Sequence, residues 1–370
     1  MKSSCRARGF VAALCLLSVL LAQAAESDPP QVLPKVTVSA GVPLTKVAEY
    51  QMLEPRYAPA AVAHGEFIYI VGGLNSIGTA SNSVERLDVH TGRTEIVAHL
   101  RVARQWHRAV IVGEKIYVLG GATLGSLSRS RSYLRAVESA VSASHGSNSM
   151  VEPPSSEGGV DLEASVEIVD LATGKVSRGP TMLEPREQFA CVETDGQIYV
   201  IGGGRIYRDK FSFTNTTEIL DVAKNQWRQG VPMPKPRSTD GAIVDGGFIV
   251  VAGGYDGFIS SDAVYSFELR TGTWRTNTPL CRSTSAHSVA FLGNYLYLFG
   301  DYDAPERLLA YNLKTKESET FRLRYTPARF ATVVVADGRI FVIGGTAGRN
   351  LPMLRTIQVF APTKTTERKT

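Results

Sequence analysis

Apolar and polar positions along this chain follow a phrase that recurs six times, a short unbroken apolar run closing on a glycine pair. It reads Ile68-Tyr69-Ile70-Val71-Gly72-Gly73, then Ile116-Tyr117-Val118-Leu119-Gly120-Gly121, then Ile198-Tyr199-Val200-Ile201-Gly202-Gly203. Later copies run from Phe248 to Gly254, from Leu296 to Gly300 and from Ile340 to Gly345, with Asp301 standing where the fifth copy would have its second glycine. Successive first glycines lie 48, 82, 51, 47 and 44 residues apart, a steady period with one long interruption. A period of that size, built from strands, predicts an all-β propeller of four-stranded blades.

Within one repeat the elements follow in order. Ala60 to Ala63 reads as a first strand, His64-Gly65-Glu66 as a turn and Phe67 to Val71 as a second strand. Strands this apolar must be covered on both faces, so they belong to the sandwiched part of a blade. Asp195-Gly196, Asp245-Gly246, Gly293-Asn294 and Asp337-Gly338 repeat the tight turn, and such pairs tolerate its positive φ. The glycine pair itself predicts backbone too crowded for a Cβ. Third strands begin near Ser83, Ser165, Thr217, Ala263, Arg307 and Thr356, and fourth strands carry Trp227 and Trp274 just past polar turns.

Glycine pair, aromatic second strand, polar turn and tryptophan together resemble the Kelch repeat family, over residues 45–361. The resemblance implies a six-bladed Kelch β-propeller. The sixth repeat stops after its third strand, while Thr45 to Tyr50 precedes the first repeat without a partner. An N-terminal outer strand completing the last blade closes the ring and removes two exposed edges.

Outside the repeats, Lys2, Arg6 and Arg8 precede an apolar stretch from Phe10 to Leu21, and Ala22-Gln23-Ala24 follows. That pattern predicts a signal peptide over residues 1–24, cleaved after Ala24, and a secreted or periplasmic protein. A linker over 25–44 and a polar tail over 362–370 flank the propeller. No apolar stretch is long enough to span a bilayer. The formal net charge of +5 falls to +2 without the leader, which gives no reason to expect a nucleic-acid partner. Cys191 and Cys281 fall in repeats three and five, which are not neighbours, so two separate buried thiols are expected rather than a disulfide.

An arginine precedes the first strand of every repeat: Arg56, Arg104, Arg186, Arg237, Arg282 and Arg329. Two readings compete, a ring of guanidinium groups focusing potential at the channel mouth, or a scaffold device pairing with carboxylates or carbonyls of a neighbouring blade. The second is favoured, because a residue present in every blade supports every blade. Residues that differ between blades at the same place are better site candidates, among them Trp106, His107, Glu187 and Asp240. The Kelch resemblance implies that the loops entering the first strand share a face with those after the glycine pair, which add Tyr255 and Tyr302. With Arg104, Arg186 and Arg237 these form the candidate ligand-binding set, suited to a carbohydrate or a peptide. An insert of about residues 122–164 emerges in the same layer, as a lid, a docking arm or a disordered segment. Leu127, Leu134, Val137 and Val141 in it have the spacing of a short amphipathic helix.

No Cys/His cluster has metal-ligand spacing, and no nucleophile elbow or phosphate loop occurs, so neither metal nor cofactor is expected and catalytic residues are unassigned. The expectation is therefore a binding module for a carbohydrate or a protein segment, leaning away from catalysis. The alternative is a metal-free mutarotase or epimerase acting on an acidic sugar. There Arg186 or Arg237 would hold the carboxylate, and Glu187, Asp240 or His287 would move protons.

Overall fold

A computed structural model describes residues 44–124, 160–207, 210–238, 241–348 and 351–363, all within one compact unit. The leader, the helix pattern in the insert, the end of the polar tail and Asp240 lie outside the described residues. Among those described there is no helix. Strands form six antiparallel four-stranded sheets. Blade 1 comprises Ala60–His64, Phe67–Val71, Ser83–Asp88 and Thr94–His99; blade 2, Arg108–Val112, Lys115–Leu119, Val166–Asp170 and Val176–Arg178. Blade 3 comprises Ala190–Thr194, Gln197–Ile201, Thr217–Asp221 and Gln226–Gln229; blade 4, Ala242–Asp245, Phe248–Ala252, Val264–Glu268 and Thr273–Thr276. Blade 5 comprises Ser288–Leu292, Tyr295–Phe299, Arg307–Asn312 and Ser318–Arg322. Each first strand neighbours the first strands of two other blades, so the six close into a ring.

The core is not central. It is divided among the six junctions between blades, one hydrophobic cluster to each. This is why the second strands are apolar without interruption. Ile68 and Ile70 face blade 6, packing with Phe341 and Ile343, whereas Tyr69 and Val71 face blade 2, packing with Ile116 and Val118. Period-two alternation thus sends successive side chains into two different cores.

The glycine pairs sit where adjacent blades touch. Gly72 and Gly73 have φ of 56° and 94°, and the Gly73 N–H donates to the Arg104 carbonyl of blade 2 at 2.8 Å. A Cβ on Gly72 would lie 2.6 Å from that same oxygen. Both left-handed backbone and close approach therefore demand glycine.

Blade 6 comprises Thr332–Ala336, Arg339–Ile343, Thr356–Pro362 and, as its outer strand, Leu44–Gln51. The ring is closed by the N-terminal segment, as its unpartnered position implies. Leu44–Gln51 pairs antiparallel with Thr356–Pro362 across a register shift between Lys46 and Ala48. Met52 and Tyr50 then pack into the cluster between blades 6 and 1. The sequence reading is corrected at one cysteine: both are free, but Cys281 is exposed because it lies in the connection into blade 5 rather than in a strand.

Deleting Leu44–Gln51 would leave Thr356–Pro362 as an open edge. The expected result is a fall in Tm of at least about 5 °C, with concentration-dependent association. Calorimetry and size-exclusion chromatography check it, and an unchanged Tm would show that the closing strand is dispensable.

Candidate functional site

Loops entering the first strands and loops following the glycine pairs are bonded to one another, which puts them on one face. Tyr57 bridges Leu74, Gln105 bridges Ala122, Glu187 bridges Gly204, Ser238 bridges Tyr255 and Arg329 bridges Thr346. In blade 5 the Tyr302 N–H donates to the Ser285 carbonyl. Two hairpins rise from this layer, Ala122–Leu124 with Val160–Leu162 and Gly204–Tyr207 with Lys210–Phe213. The first zips together the two ends of the long insert.

The arginines do not form a ring at the mouth. Sixteen residues before each first glycine stand Arg56, Arg104, Arg186, Arg237, Thr284 and Ala328. Arg282 and Arg329 lie outside this set because the blade register puts Thr284 and Ala328 at the equivalent place. The four arginines are buried and point into their own blades. Arg56 donates to the Gly72 carbonyl at 2.7 Å, Arg104 to Gly120 at 2.9 Å, Arg186 to Gly202 at 3.0 Å and Arg237 to Gly253 at 2.8 Å. The first three pair with a carboxylate on the third strand: Arg56 with Glu85, Arg104 with Glu167 and Arg186 with Glu218. The same carboxylates accept N–H groups of the entering loop, from Leu53, from Arg101 and Val102, and from Leu183 and Glu184. The scaffold reading holds, with one amendment: the carboxylate belongs to the same blade.

Strand register carries this further. The position of Glu85, Glu167 and Glu218 is filled in the other blades by Tyr265, Leu309 and Gln358. Arg237 meets Tyr265, its guanidinium carbon 4.6 Å from the ring centre. Thr284 and Ala328 meet Leu309 and Gln358, so charge and counter-charge are lost together. Gln358 still binds the entering loop, accepting the Thr326 N–H and donating to the Thr326 carbonyl, both at 2.8 Å. Burial pushes the Glu218 carboxyl up, and it pushes Arg104, Arg186 and Arg237 down. Both directions express the cost of removing ions from water.

Two places beyond five of the six arginine positions the backbone turns left-handed without glycine, at Ala58 (φ 50°), Trp106 (51°), Gln188 (51°), Ala286 (56°) and Phe330 (52°). These residues bond from blade to blade: Trp106 N–H to Ala58, Gln188 N–H to Trp106, Ala58 N–H to Phe330 and Phe330 N–H to Ala286, at 3.0–3.1 Å. Trp106 is buried edge-on to Tyr57, ring centres 5.8 Å apart. One place further on, His107 wedges against Gly72 of blade 1, as Phe189 does against Gly120 and His287 against Gly253. An imidazole where another blade uses a phenyl ring is there for packing. Burial, with help from Arg104 and Arg108, holds His107 well below the usual histidine range, against the Val71 backbone.

Of the nine sequence candidates, Asp240 is outside the described residues, seven are buried and Tyr302 is half-buried. Glu187 is fully buried and accepts the Gln188 side-chain amide at 3.0 Å. Tyr255 is buried beside Phe213, its hydroxyl donating to the Gly257 carbonyl at 2.9 Å. What reaches water is a set that sequence reasoning missed. Ile77 is 70% exposed, Phe258 70%, Ile259 62%, Leu351 52% and Ile206 38%, all in loops after glycine pairs. Leu53, Leu183 and Val231 in the entering loops are exposed as well, so eight of the ten exposed large apolar side chains among the described residues share this face. The signal was the apolar pair Phe258-Ile259 inside a polar loop. Among the described residues, no group of three or more His, Cys, Asp or Glu side chains is placed to hold a metal.

Two predictions follow from the buried polar groups. Glu218→Ala should destabilise by about 3–5 kcal/mol in urea unfolding, because Arg186 is stranded in the core. Arg186→Ala combined with Glu218→Gln, the pairing blade 6 uses, should cost less than that single change; equal costs would refute compensation. For His107, the unfolded chain takes up a proton near 6.5 whereas the folded chain resists it. The stability from neutral His107 is thus complete above about pH 6.5 and is lost as pH falls below it. His107→Phe should flatten the change in urea midpoint between pH 6.5 and 5; an unaltered slope would assign it to other groups.

A model described as the KLHDC2/KLHL20/DRC7 Kelch-repeats domain matches residues 161–301, and one described as the Kelch motif matches residues 55–93. The chain is similar to Kelch-like protein 25 of Xenopus tropicalis, 27% identical over 68% of this chain and 38% of that protein. Alpha-scruin of Limulus polyphemus is 22% identical over 69% of this chain and 26% of its own length. Kelch-like protein terF of Aspergillus terreus is 23% identical over 83% of this chain and 65% of its own. The first two relatives are therefore much longer than the segment they share. Six blades, the paired left-handed glycines and these matches agree: the chain belongs to the Kelch repeat family.

Proposed function

We propose that this propeller is a protein-interaction module that holds an extended segment of a partner across the face of entering and post-glycine loops. The observation that carries the reading is the one-sided distribution of exposed apolar side chains. Scattered apolar residues on a surface mean little, but their concentration on one face marks an interaction site. The opposite turns are polar, for instance His64-Gly65-Glu66, Asp195-Gly196 and Asp337-Gly338. Phe258 and Ile259 are also presented rigidly. The Asp256 carboxylate accepts both of their N–H groups at 2.8 Å, and the Asp256 N–H returns to the Ile259 carbonyl. A pre-ordered apolar pair loses little freedom on binding.

Chemistry favours a peptide over a carbohydrate. Sugars stack on flat exposed rings, yet Tyr57, Trp106 and Tyr255 are buried, and the exposed set is mostly aliphatic. The acidic-sugar isomerase reading draws on Arg186 and Glu187, both fully buried, the first committed to Glu218. The proposal sets the partner outside the cytosol, on the strength of the signal-peptide pattern of residues 1–24.

Replacing Phe258 and Ile259 together by Ser should weaken binding of array-selected synthetic peptides at least about tenfold, with Tm unchanged. Interferometry with the full chain reads this. Undiminished binding would move the site off this face.

A further inference from the structure

One place ahead of the residue that pairs with the end of each second strand, five blades carry a small side chain: Ser83, Ser165, Thr216, Ala263 and Thr356. In blades 1 and 2 its hydroxyl accepts from the scaffold arginine, Ser83 from Arg56 and Ser165 from Arg104. Blade 5 has Thr284 in place of the scaffold arginine, and here alone the third strand supplies a guanidinium, from Arg307. Arg307 is not sealed in the core as the scaffold arginines are; its side chain is 31% exposed.

Directly opposite it on the fourth strand stands a second arginine, Arg322. Residues opposite one another in an antiparallel pair project from the same face with Cβ atoms about 5 Å apart, and like charges there repel. Both guanidinium groups keep their charge at any ordinary pH. Arg322 is exposed, as is Arg324 two residues on, and neither makes a hydrogen bond or ion pair with any described residue. Among the described residues Arg307 has one ionic partner, Asp301 at 3.8 Å, whose other carboxylate oxygen is taken by the Asp303 and Ala304 N–H groups. Folding gains nothing from this opposition of charges, which breaks the repeat in blade 5 alone.

An anion between the two arginines turns the repulsion into attraction. A carboxylate is satisfied by one planar guanidinium fork, whereas two forks from neighbouring strands suit an anion with acceptors on more than one edge. A tetrahedral oxyanion has that shape. Asp303 and Glu306 are exposed in the preceding loop and bound the patch, which favours a compact group over a long polyanion.

We infer that Arg307 and Arg322, with Arg324 beside them, form a binding site for a phosphate or sulfate group on the outer strands of blade 5. The group is taken either free or as an ester on a larger ligand. This site does not draw on the apolar loop face described above.

The test is a phosphorus NMR titration of the full chain at low salt, with inorganic phosphate and, separately, with glycerol 3-phosphate. Saturable binding at one site is expected, weakened at least about tenfold by Arg322→Ala and by Arg307→Ala. Equal affinity for the two probes assigns the site to the free anion, and tighter binding of glycerol 3-phosphate assigns it to an ester. Sulfate should displace the phosphate, whereas chloride at equal ionic strength should not. Displacement by chloride, or binding that survives Arg322→Ala undiminished, would overturn the inference. Arg322→Glu supplies a second reading, because it places a carboxylate opposite Arg307. In phosphate-free buffer its Tm should rise, and added phosphate should no longer raise it further; a lower Tm in that buffer would show that no repulsion is relieved and would also overturn the site.

Discussion

The ring depends on one arrangement, a buried guanidinium that ties the start of a blade to its middle. Arg104 shows it whole. Its side chain reaches the Gly120 carbonyl and Glu167 within blade 2, while its own carbonyl accepts the Gly73 N–H of blade 1. One residue thus fixes where the chain enters a blade and how that blade meets its neighbour. Such an ion pair contributes little net stability, since desolvation offsets most of the attraction. Its contribution is to specify geometry, and the strand register shows what constrains it. Blades 5 and 6 lack the arginine and lack the acid too, whereas in blade 4 Arg237 has no acid opposite it and lies over Tyr265, donating to the Gly253 carbonyl and the Ser261 hydroxyl.

Next to that anchoring runs the left-handed belt, which continues through the blades that lack the arginine. A bulky residue at positive φ is strained, and such strain persists only where the surroundings over-determine it. Ala58, Trp106, Gln188, Ala286 and Phe330 are held from below by the entry position and sideways by bonds between blades. Their side chains are free to differ because the belt is backbone. The mouth is consequently a rigid frame carrying a different side chain from each blade, the requirement for selective binding on a repetitive scaffold.

How much of this was legible in the sequence follows from what spacing encodes. Period gave the blades, the glycine pairs gave the crowded junctions, and the unpartnered Thr45 to Tyr50 gave the closing strand. Spacing gives position along the chain but not direction. Arg186 and Glu187 are adjacent in sequence, and nothing local says that the first turns into the blade while the second is buried under the loop layer. Counting arginines also misassigned Arg282 and Arg329, because Thr284 and Ala328, sixteen residues before Gly300 and Gly344, hold the equivalent places. The apolar crown was hidden for another reason. Ile77, Phe258 and Leu351 are ordinary isolated residues until the fold gathers their loops onto one face.

The departures from the repeat are not spread evenly. Asp301 does not adopt the left-handed φ of a second glycine, and the bond from that position to the next blade, present from Gly73, Gly121, Gly203, Gly254 and Gly345, is missing toward Ala328. Its carboxylate instead accepts the N–H groups of Asp303 and Ala304, which sets the loop that carries Tyr302. The same junction has lost both the arginine position and its acid. Local rules of a fold are broken where something other than folding is being served. Here several breaks gather at the junction of blades 5 and 6, beside the Tyr302 ring and the Arg329 guanidinium that lies over it. Ala328, which gives up the scaffold arginine, and Arg329, which lies over the Tyr302 ring, are successive positions of one strand entry, so the repeat can change the side chains of a blade while keeping its backbone.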